Sequence, residues 1–329
     1  MSIRTSDLAS LTGYLDEIFR ETSVASIDEM VGTKIFRVEE SSKLNYIYQE
    51  IYGLAGIKAV AEGQNLPRVT TSEGDTATFT QSYYGAMVAI TKKTRKFCDF
   101  NEPQVGYLVK TVVDDAWQKI DQSMADVLTN GFSASNYTDV YGQSVSAACP
   151  DGVALFSASH TNNLNSTTYR NLIKDSAATV NPPISRECIV QARVDALNHK
   201  DVNGVNRPVM LDTILVSPTN YDEAMRIVNS DVLSGEFTRD YNPLKGLVKV
   251  MQWSRLTTRT GGTDTSAYWF MFDSKKVGES LRCVFAERPT LDAPEEVYEN
   301  KDWEYSIDYF YTLVRAYPAF VWGSNSTSA

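Results

Sequence analysis

Apolar residues recur at helical spacing in two parts of the chain. Leu8, Leu11, Leu15, Ile18 and Phe19 fall on one side of a helix that Asp7 can cap. Such a helix packs by default on its own body. The second pattern is longer. Val105, Leu108, Val112, Ala116, Ile120, Met124 and Val127 keep one stripe, with Asn101 as cap, Pro103 in the first turn and Gly131 as stop. A helix over 102–130 would be about 43 Å long at 1.5 Å per residue, well beyond the usual three or four turns. Val109, Val113 and Trp117 widen the stripe beyond a coiled-coil seam, so the helix reads as a beam across a domain.

Alternation takes over between these helices. LNYIYQEIYGLAGIKAVAEG (44–63) is β-rich and aromatic, and QNLPRVTTSEG (64–74) reads as a loop. DTATFTQSYYGAMVAITKKT (75–94) then places Ala77, Phe79, Gln81 and Tyr83 on one face and Thr78, Thr80, Ser82 and Tyr84 on the other. This predicts one long two-stranded hairpin with a tip polar on both faces. It lacks a core of its own and is marginal alone in water, so it is expected to order by lying on something else.

Beyond the long helix, 132–184 is loop-rich, with a short strand in DGVALFSASHTN (151–162). VNPPISRE (180–187) punctuates the chain and predicts a boundary. Residues 185–285 read as a compact α/β unit. Ser185 caps a helix to about Asn198 with Ile189, Ala192 and Ala196 inward, DTILV (212–216) is a buried strand, and Ser217–Pro218 starts a helix through Val228. Strands near 247–256, 267–273 and 281–287 complete it. The aromatic stretch WEYSIDYFYTLVRAYPAFVW (303–322) is expected to return to the sheet alongside the long helix. The fold class is α+β.

Composition narrows the chemistry. The 329 residues carry 31 Lys and Arg against 41 Asp and Glu, a net charge of −10, which argues against a basic nucleic-acid binder. No run of 18 apolar residues exists, so no transmembrane helix is expected, and the N-terminus lacks a signal-peptide core. Cys98, Cys149, Cys188 and Cys283 have no metal or redox spacing and read as reduced thiols in a cytosol. His160 and His199 are the only histidines, and neither sits in a catalytic motif. Gly261–Gly262 is a turn signal, not a phosphate cradle. The acidic run Asp292, Glu295, Glu296, Glu299, Asp302, Glu304 and Asp308 lacks calcium-loop spacing and reads as a solvated face or an inter-subunit charge partner. No cofactor, metal or catalytic residue is expected. Lys92, Lys93, Arg95 and Lys96 cluster in one short stretch. In an acidic chain, that sign separation favours head-to-tail contacts between copies.

AEGQNLP (61–67), YYGAMVAITKK (83–93), the helix ending ADVLTNGF (125–132), DGVALFSASHTN (151–162), LDTILVSPTNYDEA (211–224) and YNPLKGLVKVMQW (241–253) occur in that order. In this the chain resembles the major capsid proteins of tailed bacteriophages with the Hong Kong 97-type fold, most closely the Mu-like group of major head subunits. The resemblance covers roughly 30–322. It implies an N-arm (1–42), an extended-loop hairpin lying over an adjacent subunit (43–96), a peripheral domain with its spine helix (97–184), an axial domain (185–285) and C-terminal strands completing the peripheral domain (286–329). The implied function is self-assembly, as hexamers and pentamers, into an icosahedral head around double-stranded DNA. Such a head would form in the bacterial host cytoplasm and become the virion shell. Gly63, Pro67, Arg68 and Glu73 near the hairpin tip, with Lys92, Lys93, Arg95 and Lys96, are the expected inter-subunit residues. Implied partners are a separate scaffolding protein, a portal, a decoration protein where one exists, and DNA in loose non-specific contact, with no membrane. The stretch before the hairpin is short for a built-in scaffolding segment. Lys58 and Asn65 lie in the loop, but no Lys, Asn and Glu set aligns with the family's isopeptide cross-link, so none is expected. An encapsulin-like shell that loads an enzyme and a soluble two-domain enzyme are the competing readings.

Overall fold

The computed structural model describes residues 5–53, 59–66, 71–93, 103–161, 168–200, 204–230 and 242–326. The chain opens with α1 (Thr5–Glu29), α2 (Gly32–Ile35), β1 (Arg37–Glu40), β2 (Asn45–Gly53), β3 (Thr71–Thr80) and β4 (Ser82–Ile90). The long helix α3 (Pro103–Thr129) follows within a residue of the expected bounds at each end. The cap assigned to Asn101 lies outside the described residues. Two short antiparallel pairs come next, β5 (Tyr137–Thr138) with β6 (Ser144–Val145) and β7 (His160–Thr161) with β8 (Thr168–Tyr169). Then come α4 (Arg186–Leu197), β9 (Thr213–Val216), α5 (Pro218–Asn229), β10 (Lys249–Gln252) and β11 (Trp269–Phe272). The chain ends with α6 (Val277–Ser280), β12 (Leu281–Leu291), β13 (Glu295–Glu296), β14 (Trp303–Arg315) and β15 (Val321–Ser324).

The first sheet is built on β14. One edge pairs antiparallel with β12 and β13, the other with β4, and β1 adds parallel to β12. Strict alternation sends Trp303, Tyr305, Ile307, Tyr309 and Tyr311 inward, where α3 covers them. The Tyr311 hydroxyl donates to Ser123 Oγ at 3.1 Å. On α3 the buried stripe runs through Val109, Val113, Ala116, Trp117, Ile120, Met124 and Leu128. Leu108, placed in the stripe by sequence, is instead 49 % exposed. The residues thought merely to widen the stripe are its centre. Fully burying each of the larger aliphatic side chains contributes about 1.5–3 kcal/mol. Helix α1 packs on α3 through Leu15, as expected for own-body packing. Gly106 permits the close approach, since a Cβ there would lie 2.6 Å from Ile18 Cδ1.

The second sheet has the order β10-β9-β11-β15, parallel between β9 and β10 and antiparallel elsewhere. Ser185 Oγ accepts the Cys188 N–H at 3.2 Å, capping α4 as predicted, and Pro218 occupies the first turn of α5. Ile214, Val216, Trp269 and Met271 face α4 and α5. Leu215, Phe270 and Phe272 join the core under α3. Both faces are covered, which is why TILV and WFMF read as unbroken apolar runs.

Three sequence expectations are corrected. The strand near 281–287, read as part of the 185–285 unit, belongs to the first sheet beside β14. The C-terminal stretch serves both sheets, β14 in the first and β15 in the second. The single return strand over 75–94 is also divided. At Gln81, 4 % exposed, the backbone N–H donates to Leu44 O at 2.9 Å, and Nε2 donates to Ser41 O at 2.9 Å and Lys43 O at 3.0 Å. β3 therefore ends at Thr80 in a hairpin with β2, and β4 enters the first sheet.

Candidate inter-subunit site

The hairpin is anchored at its base and open above. Tyr46, Tyr48 and Phe79 pack on Val284, Val314 and Ala316 of the first sheet and its end. The Tyr46 hydroxyl donates to Glu39 Oε2 at 3.1 Å and accepts from Arg282 Nη1 at 2.9 Å. The opposite face is exposed. It carries Asn45, Ile47, Gln49 and Ile51 from β2 and Glu73, Thr76, Thr78 and Thr80 from β3. Ile47 is 64 % and Ile51 67 % exposed, an open row of β-branched apolar groups.

The expected interface residues fall on separate elements. Gly63 takes φ +81° in a turn closed by the Gln64 N–H donating to Ala61 O at 3.1 Å. A Cβ there would meet nothing within 4 Å, so glycine serves the left-handed backbone and not a close approach. Glu73 is exposed near the outer end of β3, opposite Ile51. Lys92 and Lys93 are exposed just past the far end of β4. Pro67, Arg68, Arg95 and Lys96 lie outside the described residues.

The acidic run lies along the first sheet, beside the start of the basic stretch. Asp302 Oδ1 accepts the Lys92 N–H at 2.8 Å, and Asp308 Oδ2 accepts the Tyr83 hydroxyl at 3.2 Å. The Asp308 carboxylate raises the Tyr83 phenol above its ordinary pKa. Asp292 Oδ2 accepts from Ser306 Oγ at 2.9 Å, and Lys301 reaches Glu296 at 3.9 Å. Among the described residues, no three His, Cys, Asp or Glu side chains are grouped to hold a metal, and no helix is long and apolar enough to cross a membrane.

Both histidines are taken up by packing. His160, fully buried, lies 2.6 Å through Nδ1 from Asp151 Oδ2 and 3.1 Å through Nε2 from Asn171 Oδ1. His199 Nε2 lies 3.1 Å from the Tyr317 hydroxyl. Asn171 is a hub. Its Nδ2 donates to Leu155 O, Pro318 O and Val321 O at 2.6, 3.1 and 3.0 Å, and its Oδ1 accepts the Ser157 N–H at 2.9 Å.

Two residues missed by sequence tie the two sheets together. On α3, Asp121 Oδ1 accepts the Gly32 N–H and Oδ2 accepts the Trp253 Nε1–H, both at 3.0 Å. Arg255 Nε stands 3.7 Å from Asp121 Oδ2. One turn on, Asp126 Oδ1 accepts the Thr260 N–H at 3.1 Å, and Oδ2 accepts the Thr260 hydroxyl. Burial holds both carboxyls above their ordinary pKa, against hydrogen bonds that pull the other way. The available signal was position. Asp121 lies beside Ile120 and within a turn of Trp117 and Met124, on the apolar side of the helix.

A family model described as phage capsid protein matches residues 74–322. No curated protein matches the chain. Among solved structures, the capsid of the cyanophage P-SCSP1u aligns with a TM-score of 0.54 at 10 % identity, covering 90 % of this chain and 88 % of that one. The mature capsid of bacteriophage PhiM1 aligns with a TM-score of 0.52 at 12 % identity, covering 91 % and 87 %. At these identities the likeness is one of fold.

Proposed function

The chain belongs to the phage capsid protein family, and on that premise we propose how its parts build a shell. It is a major capsid protein, the repeated subunit of a phage head. In our reading it follows the Hong Kong 97-type arrangement. The β2–β3 hairpin is the extended loop laid over an adjacent subunit. The first sheet with α3 is the peripheral domain and its spine, and the second sheet with α4 and α5 is the axial domain at the five- and six-fold axes. The N-arm contributes only its outer flank, because α1 packs on its own α3.

The observation that carries this reading is the hairpin. It is rooted by three aromatic side chains on its own sheet, yet it presents Ile47 and Ile51 to solvent. An isolated two-stranded element gains little stability by itself, and a neighbouring copy supplies the missing surface. Many such contacts per subunit turn modest pairwise affinities into a durable shell. The net charge of −10 suits a wall that must surround double-stranded DNA without trapping it. Assembly as hexamers and pentamers on a separate scaffold, around a portal, and expansion by hinge motion between two states fit the same arrangement. Deleting residues 63–74 tests it. The variant is expected to keep the circular dichroism of the parent and to lose shell assembly in sedimentation. Shells formed at the parental yield would count against the hairpin assignment.

A further inference from the structure

β4 is an edge strand with an unusual surround. Its nine residues pair with β14 along one side, and among the described residues no strand pairs with the other. SYYGAMVAI contains no proline and no charge, the features that ordinarily blunt an open edge. The edge opens into a slot. Residues 82–86 form one wall of a cavity of about 480 Å³, with Val112 and Ala116 of α3 opposite and Tyr141 also lining it. An edge strand facing a helix across a slot is the geometry in which an extended segment adds as a further strand. Main-chain hydrogen bonds hold it, and alternate side chains select it. On the face of β4 away from α3, Tyr83 and Met87 are 60 % and 64 % exposed.

The hairpin carries the matching half. β2 is also nine residues long, and among the described residues its only strand partner is β3. Its exposed isoleucines, at 47 and 51, have the same four-residue spacing as Tyr83 and Met87. Charge sets the direction. With β2 parallel to β4, Ile47 falls beside Tyr83 and Ile51 beside Met87, and Glu73, opposite Ile51, is carried toward the end of β4 that leads to Lys92 and Lys93. The reverse direction takes Glu73 away from both lysines.

We infer that β2 of one copy adds in parallel to the open edge of β4 in a second copy, so that the hairpin docks by extending its neighbour's first sheet. This rests on the reading of the hairpin as the element that reaches an adjacent subunit, and specifies where it lands and how. The lysines at 92 and 93 and Glu73 then act together across the subunit boundary, although they lie on different elements within one chain.

Co-assembly of two populations, each carrying one introduced cysteine in a Cys98→Ser background that keeps the buried Cys149, Cys188 and Cys283, tests the inference. Subunits carrying Met87→Cys are assembled with affinity-tagged subunits carrying Ile51→Cys or, separately, Ile47→Cys, and the particles are oxidised with diamide. All three positions are exposed on strands, so the variants should fold, which circular dichroism checks. The expected result is a tagged disulfide dimer with Ile51→Cys, at least tenfold more abundant than with Ile47→Cys. A dimer only with Ile47→Cys overturns the parallel pairing, and none with either overturns the docking site. Failure of the wider reading looks different, because the 63–74 deletion would then assemble normally whatever the cysteines do.

Discussion

Replacing Asp121 by alanine should unlatch α3 from both of its neighbours. The carboxylate is the acceptor for the Gly32 N–H and the Trp253 indole N–H, and both residues are buried. Each orphaned buried donor costs about 1–3 kcal/mol, so the gross loss is about 2–6 kcal/mol. One term opposes it. Burial raises the Asp121 pKa, so the ionised group is itself disfavoured in the fold, and removing it recovers part of that cost. The net loss at neutral pH should therefore fall in the lower half, about 2–4 kcal/mol. For a chain of 329 residues that lowers Tm by roughly 3–6 °C. Thermal unfolding of unassembled subunits measures it, with Trp253→Phe and the double variant completing a cycle. The predicted coupling between Asp121 and Trp253 is about 1–3 kcal/mol. Strict additivity, or an Asp121→Ala loss below about 0.5 kcal/mol, would refute the latch. The sign with pH is also fixed. A carboxyl whose native pKa is raised binds its proton more tightly folded than unfolded, so its favourable contribution is complete below the unfolded value of 3.8 and is lost as pH rises through the raised native value. Asp121→Asn should flatten that decline, and an unchanged slope across the window would contradict the assignment.

Two further predictions concern buried groups. Asn171→Asp places an oxygen against the carbonyls of Leu155, Pro318 and Val321, and should cost about 3–5 kcal/mol in urea unfolding, whereas parental stability would show that the hub is dispensable. Burial pushes the Cys149 thiol up to about 12 and the Cys283 thiol higher still, so peptide mapping after iodoacetamide treatment at pH 8 should find both unmodified in the folded chain and alkylated in urea. Rapid labelling of the folded chain at either cysteine would contradict that burial.

What could be read from sequence was what local chemistry dictates. The bounds of α3 followed from its apolar stripe, Pro103 and Gly131, and the start of α5 from Ser217–Pro218. Alternation concealed the break at Gln81, because a buried glutamine bonding to backbone carbonyls has the same period as a strand residue. The allocation of β12 was equally hidden. A short connection after β11 suggests the same sheet, and only pairing with β14 places it in the other. Within the candidate site, the exposed ends at Gly63, Glu73, Lys92 and Lys93 were legible as polar or turn residues. The open edge of β4 was not, since an edge is defined by an absent partner and not by a residue type. Asp121 and Asp126 were invisible for a related reason. Their partners lie on α2 and in the segment after β10, more than 80 residues away in sequence.

The central claim is that copies of this chain close into a shell. The most direct measurement is negative-stain microscopy of the purified chain, expressed alone and together with the neighbouring phage genes. The account predicts closed isometric particles in at least one condition, with icosahedral symmetry on averaging. Small discrete monomers or oligomers under every condition would contradict it.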